Sequence, residues 1–176
     1  KDRDCYIFSA GGTTGLKKYV LYGTEEFSKS KQLFGKGFRA LGIGSKNIVA
    51  NVFPCGAFYT AFLAINKGLE ETGCKILSLT GNISHKDMLE YIEICKPDTI
   101  FGLPSLMIPL AQYAEQNGYQ IQLDNIIYAA EHMTNDAKNY IKSIFKAKRI
   151  SSFGYAAVET GPIGYQCECC HDNEFH

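Results

Sequence analysis

The sequence carries no net charge, with 18 Lys and Arg set against 18 Asp and Glu over 176 residues. Without a basic excess there is no electrostatic case for nucleic acid or for an anionic membrane surface. No apolar run approaches the roughly 20 residues that a bilayer-spanning helix needs. A secretory signal pattern, internal repeats, low-complexity stretches and linkers are likewise not seen. Two nucleotide fingerprints are missing as well. Gly15 is followed by Leu16 and Lys17, which breaks the Walker pattern, and Gly42-Ile43-Gly44 meets Asn at position 47, which breaks the Rossmann pattern. Walker-type kinases and Rossmann dehydrogenases are therefore disfavoured.

What is present suits a soluble α/β chain. Hydrophobic residues make up 45% and charged residues 20%, ordinary values that allow one good core. Seven cysteines, three of them crowded at Cys167, Cys169 and Cys170, give an odd and clustered set. That argues against a disulfide scaffold and for a reducing compartment, so a cytoplasmic location is expected. The chain begins at Lys1 and stops at His176 within a Cys/His-rich segment, so it is expected to be a piece of a longer protein.

The richest local signal is Ser9-Ala10-Gly11-Gly12-Thr13-Thr14-Gly15-Leu16-Lys17-Lys18, set between the apolar runs 5–8 and 19–22. Glycines let backbone N–H groups approach an anion, and the threonines and lysines add donors and charge. A plain hairpin turn is the bland alternative, but such turns need only two to five residues. After it, Thr24 is expected to cap a helix to about Leu41, with Phe27, Leu33, Phe34, Phe38 and Leu41 on its buried side. A β–α alternation then predicts strands at 48–53, 75–79, 98–102, 125–129 and 149–155. Helices are predicted at 57–71, from Ser84 to about Cys95, at 105–117 and, capped by Thr134, at 135–146. That order means a mostly parallel sheet flanked by helices. A shift to Gly, Cys and His after Tyr155 divides the chain into an α/β core, 1–155, expected to bind a nucleotide if the glycine-threonine loop holds phosphate, and a terminal segment, 156–176.

In open α/β sheets, ligands bind where strands end and helices begin. Two of those junctions carry carboxylates, Glu131 and Glu159. Each is a candidate Mg²⁺ ligand beside nucleotide phosphates. For Glu131 the reading as an ordinary surface-loop residue is equally open. Phe53, Phe58, Tyr59 and Phe101 suggest an apolar or aromatic pocket, although such residues more often belong to a core. Cys167 and Cys170 form a Cys-x-x-Cys pair, followed by His176. Zn²⁺ would take them as ligands, with Cys169, His171 or a residue beyond the end as the fourth. A redox dithiol or unrelated thiols are the rivals.

The glycine-threonine loop resembles the phosphate loop of the adenylate-forming enzymes, matching at Gly12, Thr13, Thr14, Gly15 and Lys18. Lys96-Pro97 with Gly102-Leu103-Pro104-Ser105 is similar to that family's Lys-Pro-Thr…Gly-Val-Pro-Ser segment. Ile126 to Glu131 resembles its Gly-Gly-Glu strand, with Ala129 and Ala130 replacing the glycines. Tyr155 and Glu159 match its Tyr-Gly-x-Thr/Ser-Glu motif, with Ala156 and Val158 as departures. The spacing most resembles the phenylacetate–CoA ligase branch, some of whose members carry a similar Gly-Tyr-x-Cys-x-x-Cys…His run. The resemblance covers essentially the whole chain, as the central part of that family's large N-terminal domain. It implies ATP-dependent activation of a carboxylic acid, expected here to be an aromatic one, to acyl-AMP, then thioester formation with coenzyme A. Thr13, Thr14 and Lys18 would hold phosphates, with Gly11 in the same loop, and Glu159 would hold Mg²⁺. Glu159 and Lys18 are thus the implied catalytic residues. Tyr155 and Ala129 to Glu131 would line the adenine and acyl pocket. The ribose-binding Asp, the hinge and the C-terminal catalytic Lys of the family are absent, so the chain alone is expected to be poorly active. An acyl-protein synthetase using a carrier-protein thiol, or an inactive zinc-stabilised binding module, are the alternatives.

Overall fold

The computed structural model describes residues 4–10, 18–167, 169–170 and 174–176. Five parallel strands form its centre, in the order β4-β3-β5-β6-β7. They are β3 (Ile48–Asn51), β4 (Lys75–Ser78), β5 (Thr99–Gly102), β6 (Asn125–Tyr128) and β7 (Arg149–Ser152). Each is short and, in the middle of the sheet, buried on both sides, as parallel sheets require. Successive residues face opposite cores. Ala50, Ile100 and Ile126 pack beneath α3 (His85–Cys95), α4 (Pro104–Gln116) and α5 (Asn135–Ile144). Val49, Phe101 and Ile127 pack on the other side with Phe38 of α1 (Thr24–Ala40) and Ile65 of α2 (Ala61–Glu70). The result is a helix–sheet–helix sandwich.

Two small antiparallel sheets sit beside it. β1 (Cys5–Ala10) pairs with β2 (Lys18–Gly23), and β8 (Gly154–Ala157) pairs with β9 (Gly161–Tyr165). Residues 11–17, which join β1 to β2, lie outside the described residues. Helices α1 and α2 cross closely because each sets a glycine against a side chain of the other segment. A Cβ on Gly68 would stand 2.4 Å from the Phe34 Cβ, and one on Gly35 would stand 2.5 Å from the Glu71 Cβ.

Two expected caps are in place. Ser84 Oγ accepts from the Asp87 N–H at 3.1 Å, and Thr134 Oγ1 accepts from the Ala137 N–H at 3.3 Å. Four expectations need correction. Thr24 is not a cap: it is already helical, Gly23 holds the cap position, and the Thr24 N–H donates to Asp4 O at 3.2 Å. Leu33 is half-exposed rather than buried, because α1 turns Phe34 and Phe38 inward instead. Helix α2 starts at Ala61 rather than residue 57, since Ala57 and Phe58 adopt positive φ angles of 49° and 64°, which no right-handed helix allows. The strand expected at 149–155 is two strands. Gly154, at φ 148°, redirects the chain, and a Cβ there would lie 2.2 Å from Gly164 O. The chain thereby leaves the parallel sheet and forms the β8–β9 hairpin. Among the described residues no helix is long and apolar enough to cross a membrane.

Candidate functional site

A cavity of about 420 Å³ opens at the carboxyl ends of the parallel strands, within the usual range of small-molecule sites. Its floor is aromatic: Phe53, Phe101 and Phe153 come from the sheet side, Phe27 and Phe34 from α1. Ala64 and Ile65 of α2 complete that apolar wall, and Ser30, Thr60, Glu131, His132 and Ser152 add polar groups to the lining. Four residues that the sequence singled out, Ala129, Ala130, Glu131 and Tyr155, line it together. Phe53 and Phe101 also line it, whereas Phe58 and Tyr59, each 52% exposed, are not among its walls.

The two small hairpins meet at this cavity. The Tyr22 hydroxyl of β2 donates to the Val158 carbonyl at 2.6 Å, joining the first hairpin to the turn between β8 and β9. Burial pushes the Tyr22 hydroxyl above its ordinary value, and the charges of Glu26 and Glu159 add to that shift. Glu159 is exposed and its carboxylate has no hydrogen-bond or ion-pair partner among the described residues. It follows Val158, which lines the cavity, but is not itself a lining residue. Lys18 is exposed at the other end of β2, where it pairs with Ala10. Gly11, Gly12, Thr13, Thr14 and Gly15 lie outside the described residues.

Glu131 is committed elsewhere. Its Oε2 accepts from the Ser105 N–H at 2.8 Å and its Oε1 from the Ser105 hydroxyl at 2.7 Å. Ser105 sits in the first turn of α4, where free N–H groups and the helix dipole both favour a carboxylate. The side chain thus pins one βα junction to the next. Between them Ala130 is held at φ 69°, a left-handed conformation that alanine seldom adopts. Of the two junction carboxylates, Glu131 has side-chain and backbone partners and Glu159 has none among the described residues.

The Cys/His segment forms a second cluster. Cys167 Sγ lies 3.7 Å from Cys170 Sγ and 3.1 Å from His176 Nε2, and all three donor atoms fall within 4.8 Å of one another. Tetrahedral Zn–S bonds of about 2.3 Å imply an S···S separation of about 3.8 Å, so the donor set fits Zn²⁺. Backbone N–H groups support both sulfurs, Cys169 donating to Cys167 Sγ and Cys167 donating to Cys170 Sγ, each at 3.3 Å. The Cys169 N–H, with His176 second, brings the Cys167 thiol down to about 7. For Cys170 the Cys167 N–H acts in the same direction, but lost hydration and the adjacent Cys167 sulfur outweigh it and push that thiol up. Cys169 is exposed and outside the cluster, while His171 lies outside the described residues.

Two residues that line the cavity, Tyr22 and Phe175, escaped the sequence, and Ser105, named there for its motif, was not seen as the partner of Glu131. Ser105 lies 26 residues from Glu131 and Tyr22 lies 136 from Val158, separations that leave no local pattern.

No protein-family profile matches the chain. It is 26% identical over 164 residues to a phenylacetate–coenzyme A ligase of Pseudomonas putida, covering 92% of this chain and 37% of that protein. It is 25% identical over 175 residues to an indoleacetate–lysine synthetase of Pseudomonas savastanoi, covering 97% and 44%. Among solved structures, a 2-hydroxyisobutyryl-CoA ligase in complex with 2-HIB-AMP superposes with a TM-score of 0.73 at 19% identity, over 85% of this chain and 33% of that one. In sequence and in fold, the chain matches part of the adenylate-forming superfamily, and it spans less than half the length of the curated relatives it resembles.

Proposed function

We propose that the protein containing this chain activates a carboxylic acid with ATP, forming an acyl-adenylate and pyrophosphate, and then passes the acyl group to the thiol of coenzyme A. The observation that carries this reading is the cavity itself, an aromatic-floored chamber at the strand ends, walled by Ala129 to Glu131 and by Tyr155 to Val158. The phenylacetate–coenzyme A ligase and the 2-hydroxyisobutyryl-CoA ligase bound to an acyl-adenylate support the same chemistry. An aromatic acid is the substrate that best suits a floor of Phe27, Phe34, Phe53, Phe101 and Phe153.

Within this reading the chain's residues work by placement and charge. Tyr155 and the Ala129–Ala130 turn hold the adenine, and the phenylalanines exclude water around the acyl group. Thr13, Thr14 and Lys18 hold the β- and γ-phosphates, offsetting the charge that builds on departing pyrophosphate. Glu159 supplies a hard oxygen for Mg²⁺, which when bound neutralises phosphate charge. Glu131 keeps the adenine turn in place through Ser105 rather than touching the metal. The substrate carboxylate is already ionised at neutral pH, so attack on the α-phosphate requires no general base. Cys167, Cys170 and His176 would hold a structural Zn²⁺, and the terminal segment expected at 156–176 works together with Gly154 and Tyr155, which begin its hairpin.

The indoleacetate–lysine synthetase favours a second reading of the last step only, in which an amine rather than a thiol accepts the acyl group. Acid-dependent ATP–pyrophosphate exchange by the full-length protein, with phenylacetate and indoleacetate, tests the first step. Exchange with either acid is expected, and its absence across aryl acids rules against the reading in favour of an inactive binding module. Coenzyme A and lysine, added separately, identify the acceptor.

A further inference from the structure

Phe175 links the metal cluster to the cavity. It belongs to the segment 174–176, which runs alongside β9. The Tyr165 N–H donates to His176 O at 3.2 Å, and the His176 N–H donates back to Tyr165 O at 2.9 Å. Gln166 Nε2 donates to Glu174 O at 3.2 Å. Gly164 leaves the room this needs: a Cβ there would lie 2.9 Å from His176 O and 3.2 Å from the Phe175 Cβ. Gly164 in turn pairs with Tyr155 across the β8–β9 hairpin. Phe175 and Tyr155 thus flank Gly164, and both line the cavity. The next neighbour of Phe175 in sequence is His176, whose Nε2 is 3.1 Å from Cys167 Sγ.

We propose that Phe175 is a binding residue of the acyl-adenylate site and that a metal held by Cys167, Cys170 and His176 keeps it there. Metal occupancy and adenylate affinity are then coupled. This rests on reading the cavity as an adenylate site. The segment is three residues long, tied by the Tyr165–His176 pair and by Gln166, and even whole two-stranded hairpins are marginal in water. A bond from a metal to the adjacent histidine adds to that restraint. Phe175 is 45% exposed, so much of its ring remains for a ligand to cover. The metal thus acts at a distance from the chemistry, by fixing one aromatic wall.

The test uses the full-length protein and the sulfamoyl analogue of phenylacetyl-adenylate as the probe, with affinity read by calorimetry and metal content by elemental analysis. Phe175→Ala is expected to retain its metal and to bind the probe about tenfold more weakly, as losing roughly half of a phenylalanine's burial implies. Chelation of the wild type is expected to weaken binding by at least as much. Chelation of Phe175→Ala should add less than it does in the wild type, since the wall it releases is already gone. Unchanged affinity in metal-loaded Phe175→Ala overturns the proposal, as does a chelation loss that multiplies fully with that of the variant. Because Phe175→Ala keeps all three ligands, its comparison with the wild type stands even where the chelated chain loses its fold. A metal-loaded wild type that does not bind the probe overturns the adenylate reading itself, and this proposal with it.

Discussion

Replacing Glu131 with alanine removes both hydrogen bonds to Ser105 at once, the one from its N–H at 2.8 Å and the one from its hydroxyl at 2.7 Å. The first serves as an N-terminal cap for α4, and losing a cap costs about 1 kcal/mol. The second is an exposed hydroxyl bond and adds at most about 0.5–1 kcal/mol. A total of about 1.5 kcal/mol in a chain of this size lowers Tm by about 3–6 °C. Ser105→Ala keeps the backbone donor and should show only the smaller part of that loss. The double variant should fall well short of the sum, because both single changes break the same bond. Thermal unfolding followed by circular dichroism measures all three. The same substitution frees the Ala130 turn, so affinity for AMP should fall in parallel with Tm. If Glu131→Ala melts like the wild type yet abolishes Mg²⁺-dependent exchange in the full-length protein, Glu131 is a metal ligand and not an anchor.

Other consequences are open to direct measurement. Gly68→Ala places a Cβ 2.4 Å from that of Phe34, and overpacking of that kind should cost about 1–3 kcal/mol in urea unfolding. Tyr22→Phe removes the 2.6 Å bond to Val158 and should cost about 1 kcal/mol. Because the folded state raises the Tyr22 pKa, its contribution is fully present below the ordinary tyrosine value of about 10 and lost as pH rises through the folded value. Wild type and Tyr22→Phe should therefore converge in Tm above that range, and a constant difference up to pH 11 counts against the role given to this hydroxyl. Elemental analysis should find one zinc per chain, lost in Cys167→Ser, and unchanged zinc in that variant removes Cys167 from the ligand set.

The parts of the fold that were legible are those written in local chemistry. Ser84 and Thr134 cap the helices they precede because a hydroxyl meets an N–H three residues on. The parallel strands are legible because short apolar runs bounded by polar turns have few other places to go. Positive-φ alanine and phenylalanine at 57 and 58 are illegible, since intrinsic preference opposes the conformation that the loop adopts. The same holds for Ala130. The division of 149–155 into two strands depends on where Gly164 passes, ten residues beyond Gly154. At the site, Ala129 to Glu131 and Tyr155 could be named from motif resemblance. The partner of Glu131 could not, for it arrives from another βα unit through the tertiary fold.

The cavity is built from two kinds of wall, and the difference has consequences. Its floor belongs to the parallel sheet and to α1 and α2, where Phe101, Phe53 and Phe153 are almost fully buried. Its rim is carried by β2 and the β8–β9 hairpin, two-stranded pieces that are marginal in isolation. Among the described residues, the ties on the rim include Tyr22 to Val158, the Ser9 N–H to Phe58 O at 3.0 Å, the Gln166 N–H to Phe153 O at 3.1 Å and the pairing of Tyr165 with His176. Local opening follows the weakest set of ties rather than global stability. The rim should therefore open well before the sheet does, and a ligand that spans both walls gains affinity by closing it. The residues on that rim, Tyr155, Glu159 and Phe175, are the ones proposed above to meet nucleotide, cation and adenylate. A site whose chemistry sits on its loosest elements can admit a large substrate pair and then surround it, while the buried phenylalanines keep the acyl end fixed throughout.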